Sequence, residues 1–165
     1  ADVLLLMALF PHEFSDDEVR QAGGYYLPYT THDSSLSPGV HALIALRLGL
    51  IDEALHFWEQ SAGIDLHGGA AEGIHIAAAG VNWQIAGLGF GGLHTAMQYD
   101  ALTLTPHLPP GWTRLAFPII WKGQRVWIDL QPGRASVTNR GAPLMVQVYQ
   151  REAAIAAGES AVFIA

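Results

Sequence analysis

Two hydrophobic rhythms divide this chain. Apolar positions recur at helical spacing as far as about residue 97, and from about residue 102 they alternate. Residues 3–10 are apolar on every side and stop at Pro11, the pattern of a helix end deep in a core. Ser15-Asp16-Asp17-Glu18 has the S-x-x-E form of a capping box, which predicts a short helix running to about Ala22 and ended by Gly23-Gly24. Residues 25–32 contain Pro28 and a run of aromatic and hydroxyl side chains and read as extended; the next helix is expected to start among Asp33-Ser34-Ser35-Leu36-Ser37-Pro38. Residues 40–48 and 51–62 predict two helices in an antiparallel hairpin, with Gly49 at the C-cap of the first and Asp52-Glu53 opening the second. Beyond the glycine-rich loop of residues 66–73, a helix containing residues 76–87 is expected to pack closely through its small side chains.

In the alternating part, strands are expected at residues 102–105, 115–121, 125–130, 135–138, 144–149 and 161–164, divided by turns such as Lys122-Gly123 and Pro132-Gly133. The fold class is therefore α+β: a helical half, then a small antiparallel sheet unit forming part of a sandwich. Trp121 and Trp127 on strands, and Trp58 and Trp83 on helices, are expected in the core.

Composition narrows the partners. At 165 residues, 50% hydrophobic and 14% charged, the chain can bury a core and is not a disordered segment. Residues 1–97 hold two basic and eleven acidic side chains, residues 98–165 six basic and four acidic, and the total is −7 with a single lysine, Lys122. That balance argues against a nucleic-acid partner, because phosphate backbones are held by clustered positive charge. The long apolar stretch at residues 73–97 is interrupted by His75, Asn82, Gln84 and His94, so it reads as a buried helix and no membrane span is expected. Without cysteine there is no disulfide, thiolate metal site or cysteine nucleophile. The chain opens inside an apolar run with no signal-peptide features, which reads as truncation.

Two segments carry candidate chemistry. Thr31-His32-Asp33-Ser34-Ser35 sets hydroxyls, an imidazole and backbone amides at an expected helix N-terminus, a natural anion site; plain N-capping is the competing reading, although a cap needs no imidazole. Ala71-Glu72-Gly73-Ile74-His75 puts Glu72 and His75 at spacing three, on one helix face. Glu72 could act as a base or substrate ligand and His75 as a phosphate donor, or both could be satisfied polar groups at a loop-to-helix junction. The other histidines show no H-x-x-x-H spacing, and no metal is predicted. Gly87-Leu88-Gly89-Phe90-Gly91-Gly92 is glycine-dense but follows a helix, which excludes a dinucleotide-binding turn.

Taken together, residues 1–10, Tyr25-Tyr26, Thr31-His32-Asp33-Ser34-Ser35-Leu36-Ser37, Ala71-Glu72-Gly73-Ile74-His75-Ile76-Ala77, Gly89-Phe90-Gly91-Gly92 and Leu104-Thr105-Pro106-His107-Leu108-Pro109-Pro110-Gly111-Trp112 resemble glycoside hydrolase family 65. This is the family of inverting disaccharide phosphorylases for maltose, trehalose and kojibiose. The resemblance implies that residues 1–97 are the last helices of an (α/α)6 catalytic barrel and residues 98–165 a C-terminal β-sandwich domain. It implies phosphate binding by Ser34, Ser35 and His75, with His32, Glu72 and Gly73 in the same pocket. It further implies phosphate as co-substrate and no cofactor, and the rest of the barrel and a disaccharide as partners. A homodimer and a cytoplasmic location are implied as well.

Phosphate would attack the anomeric carbon of an α-glucoside while a carboxylic acid protonates the departing oxygen, giving β-glucose 1-phosphate by inversion. In the family that acid is a glutamate upstream of this segment, so no catalytic acid is expected here and the isolated chain is expected to be inactive. One alternative is a trehalase- or maltase-like hydrolase with Glu72 as general base. The paired serines weigh against it, since water needs a base and has little use for two hydroxyl donors. The other alternative is a non-catalytic carbohydrate-binding module.

Overall fold

The computed structural model describes residues 2–67, 71, 73–94 and 100–165, which form two compact units, residues 1–86 and 87–165. The division expected between residues 97 and 98 lies outside the described residues.

The first unit is helical: α1 (Asp2–Leu9), α2 (Asp16–Tyr26), α3 (Ser37–Arg47), α4 (Ile51–Gly63) and α5 (Ile76–Gln84). The capping box forms as expected: the Glu18 N–H donates to Ser15 Oγ at 3.3 Å and the Ser15 N–H to Glu18 Oε2 at 2.8 Å. α2 nevertheless runs through Gly23-Gly24 into Tyr26, and Pro28 sits in a short 3-10 turn, Leu27–Tyr29, where extended chain was expected. Two mid-helix glycines cost about 2 kcal/mol. Packing of Ala22 and Tyr26 on a core of Leu4, Met7, Val19, Val40 and Ile44 offsets this. α3 is the central helix, with nine of its eleven residues buried. Gly49 follows it at φ +75°, the left-handed conformation that lets the chain turn directly into α4. α5 ends in a π-helical turn, Ile85–Phe90, rather than continuing as regular α-helix to Gly87.

The second unit holds β1 (Leu102–Leu104), β2 (Leu115–Trp121), β3 (Gln124–Gln131), β4 (Arg134–Asn139), β5 (Leu144–Val148), β6 (Arg151–Ile155) and β7 (Ser160–Ile164). They form a four-stranded sheet ordered β2-β3-β4-β7 and a three-stranded sheet ordered β1-β5-β6. Inward residues of both, among them Leu104, Ile128, Val137, Val146 and Phe163, share one core, which makes the unit a sandwich. Two departures stand out. β1 runs parallel to β5, because no hairpin joins them and the whole run β2 to β4 lies between them in sequence. β6 was not expected: Arg151-Glu152-Ala153-Ala154-Ile155 lacks β-branched residues until its end, and only Ile155 is buried.

Gly92 has the tightest requirement in this unit. Its φ is +60°, and a Cβ there would lie 1.9 Å from the carbonyl oxygen of Thr105, whose own N–H donates to the Gly92 carbonyl. Trp121 packs on the sandwich core as expected. Trp127 and Trp83 do not; both are exposed, Trp127 because it faces away from the core between the buried Val126 and Ile128.

Candidate functional site

The segment between the 3-10 turn and α3 lines an open cleft of about 380 Å³, walled by Asp2, Tyr26, Tyr29 and residues Thr30 to Ser34 with Ser37. None of its side chains caps α3. The N-cap is Leu36, without a side-chain hydrogen bond, and Pro38 opens the helix. Ser34 Oγ accepts from the Leu36 N–H at 3.4 Å, Thr31 Oγ1 donates to Asp33 Oδ2 at 2.6 Å, and Thr30 Oγ1 donates to the Tyr26 carbonyl at 2.9 Å. Capping of α3 is thus not what these side chains do, and Thr30, Thr31 and Ser34 are among the residues that line the cleft. Asp2 and Asp33 line it too, and carboxylates can accept hydrogen bonds from sugar hydroxyls.

His32 is the constrained member. It has φ +57°, an uncommon conformation for a residue with a side chain, and its Nδ1 lies 2.9 Å from Ser37 Oγ. Its ring is 5.0 Å from that of His41 and 5.3 Å from Phe57, and His41 and Phe57 are 5.2 Å apart. Burial lowers the pKa of His32, and burial followed by the neighbouring His32 lowers His41 to about 4, so both rings are neutral at pH 7.

His75 stands elsewhere, at the N-cap of α5, and is not among the residues lining that cleft. The Asp65 carboxylate holds it twice: His75 Nδ1 is 2.7 Å from Asp65 Oδ1, and the His75 N–H donates to Asp65 Oδ2 at 3.0 Å. The hydrogen bond from His75 keeps the Asp65 carboxyl below its usual pKa, hence ionised and acceptor-only. Nδ1 must therefore carry the proton. Gly73, at φ +114°, gives the backbone its bend into this corner. Ser35 is half-buried at the turn into α3 and does not line the cleft. Glu72 lies outside the described residues.

Residues 1–84 match the model of the glycosyl hydrolase family 65 central catalytic domain, and residues 96–155 that of the family's C-terminal domain. The chain belongs to glycosyl hydrolase family 65. It is 39% identical over 140 residues to a kojibiose phosphorylase of Caldanaerobacter subterraneus subsp. tengcongensis, covering 83% of this chain and 18% of that protein. It is 32% identical over 162 residues to an alpha,alpha-trehalose phosphorylase of Thermoanaerobacter brockii, covering 96% and 21%. A solved structure assigned as a kojibiose phosphorylase from the human microbiome superposes with a TM-score of 0.86 at 30% identity, over 100% of this chain and 22% of that one. The chain thus spans about a fifth of the length of the relatives it matches.

Within this family 65 chain, the structure gathers His32 and Ser34 at one cleft and seats His75 apart from it on Asp65. Asp65, Ser37, His41 and Phe57 were missed by sequence reasoning. Asp65 lies ten residues before His75 across the glycine-rich loop, and only the folded chain pairs them. Ser37 could have been found, since it stands five residues beyond His32 in the same serine-rich segment.

Proposed function

We propose that the full-length protein is an inverting disaccharide phosphorylase acting on an α-glucoside, and that this chain supplies the phosphate side of its active site. The observation that carries this reading is the hydroxyl-bearing segment Thr30 to Ser34, which with Ser37 lines a cleft while α3 has no side-chain cap. Phosphorolysis needs groups that hold an attacking oxyanion in line, and we assign that role to Ser34, Ser35 and His75, with His32, Glu72 and Gly73 around them; of these, His32 and Ser34 line the cleft described above. An oxygen of phosphate forms the new bond to the anomeric carbon as the glycosidic bond breaks, and the acid that protonates the leaving oxygen comes from outside these residues. No cofactor takes part.

The helical unit would then close the C-terminal end of an (α/α)6 barrel. The outward face of α1 supports this, since Val3, Leu6 and Leu9 on it and Phe10 just after it are all exposed. A homodimer in the cytoplasm is the setting we infer from the family; among the described residues no helix is long and apolar enough to cross a membrane.

The test is an assay of the full-length protein on maltose, trehalose, kojibiose and nigerose with and without phosphate. Phosphate-dependent formation of β-glucose 1-phosphate is expected, and glucose release that ignores phosphate would overturn the reading in favour of a hydrolase. His75→Ala is expected to raise the phosphate KM at least tenfold, as loss of a hydrogen bond to a charged ligand does, with thermal unfolding little changed.

A further inference from the structure

We propose that Asp65 is a positioning residue for His75: its carboxylate locks the imidazole with the proton on Nδ1 and presents Nε2 to the phosphate. This rests on the phosphate-side reading above for its ligand, but the lock itself stands on geometry. Both carboxylate oxygens are used, one on the ring nitrogen at 2.7 Å and one on the backbone N–H of the same residue at 3.0 Å. Two contacts to one residue fix the ring's position and its tautomer together, which a single contact would not. Asp65 also does what no residue of α5 does for itself. The helix has no side-chain cap of its own, and the carboxylate meets its open N-terminus with the favourable sign of charge.

The consequence is chemical. With Nδ1–H held by Asp65, neutral His75 offers a lone pair at Nε2, which accepts the P–OH hydrogen of hydrogenphosphate. Protonated His75 offers an Nε2–H to the anionic oxygens. Without Asp65 the ring is released to rotate and to take the other tautomer. Asp65 thus touches no substrate and acts through His75.

Two measurements on the full-length enzyme test this. In a double-mutant cycle, Asp65→Ala is expected to raise the phosphate KM about tenfold in the wild-type background, and by no further factor in the His75→Ala background. An equal effect in both backgrounds would overturn the proposal, as would a lowered Tm with unchanged phosphate KM, which is what a helix cap alone would produce. The second measurement is the ring 15N spectrum of the histidine-labelled enzyme, with the His75 signals assigned by their loss in His75→Ala. An Nδ1–H tautomer that gives way to Nε2–H in Asp65→Ala is expected, and a spectrum indifferent to Asp65 would sink the lock. If His75→Ala leaves the phosphate KM unchanged, the phosphate reading fails, and the 15N result still decides whether Asp65 positions His75.

Discussion

His41 shows what a single buried side chain can impose. It is 4% exposed, its Nε2 has no hydrogen-bond partner among the described residues, and burial holds its pKa near 4. In the unfolded chain the same ring titrates near the ordinary histidine value of about 6.5, so between the two values the unfolded state binds more protons. Stability from neutral His41 is therefore complete above about pH 6.5 and is lost as pH falls toward 4. The whole effect is on the order of 3 kcal/mol. His32, also held neutral by burial, adds in the same direction. His41→Phe is expected to flatten the pH dependence of the unfolding free energy between pH 6.5 and 4, measured by denaturant titration at several pH values. An unchanged slope would show that His41 takes up its proton in the folded state as readily as in the unfolded chain. Asn139 is the contrasting case: fully buried, it donates through Nδ2 to the Ala142 and Ile155 carbonyls at 2.8 and 3.1 Å and accepts the Gly141 N–H at 2.9 Å, so its burial is compensated. Nothing in the local sequence distinguishes these two residues from exposed histidine or asparagine.

At the scale of elements, the parts legible in sequence were those set by local hydrogen bonding. The capping box at Ser15 and Glu18, the left-handed Gly49 between α3 and α4, and the Lys122-Gly123 turn between β2 and β3 all follow from short-range chemistry. The departures have tertiary causes. α2 crosses two glycines because Tyr26 has a core to pack on. β6 escaped notice because its turn, Tyr149-Gln150, adopts positive φ at both residues without the Asn or Gly that usually signals it. Close helix packing is a further tertiary effect: a Cβ on Gly39 of α3 would lie 2.3 Å from Val81 Cγ1 of α5 and 3.2 Å from Ser61 Oγ of α4. Gly39→Ala is thus expected to destabilise by about 1–3 kcal/mol despite alanine's better helix propensity, read as a fall in denaturation midpoint. A neutral or stabilising result would mean that α5 can shift without cost.

For the whole molecule, the chain is about a fifth of the length of its phosphorylase relatives. On the phosphorylase reading proposed above, the isolated 165-residue chain is expected to show no phosphate-dependent turnover of any of the four disaccharides, because the acid which that reading requires is not among the groups assigned to it. Formation of β-glucose 1-phosphate by the purified chain would place a competent acid within it. Periodicity by itself determined the α+β class and the order of nearly all elements, since a change of period from 3.6 to 2 is written in nearest-neighbour spacing. Ordered motifs determined the family, because several matches at consistent spacing are jointly improbable. Only the tertiary structure decided that Thr31 to Ser34 line a cleft instead of capping α3, and that Asp65 meets His75 across a loop. It also decided that Trp127 faces outward and that β1 lies parallel to β5. Each of these depends on which distant segment arrives beside a residue, and that is settled by the packing of whole faces rather than by local pattern.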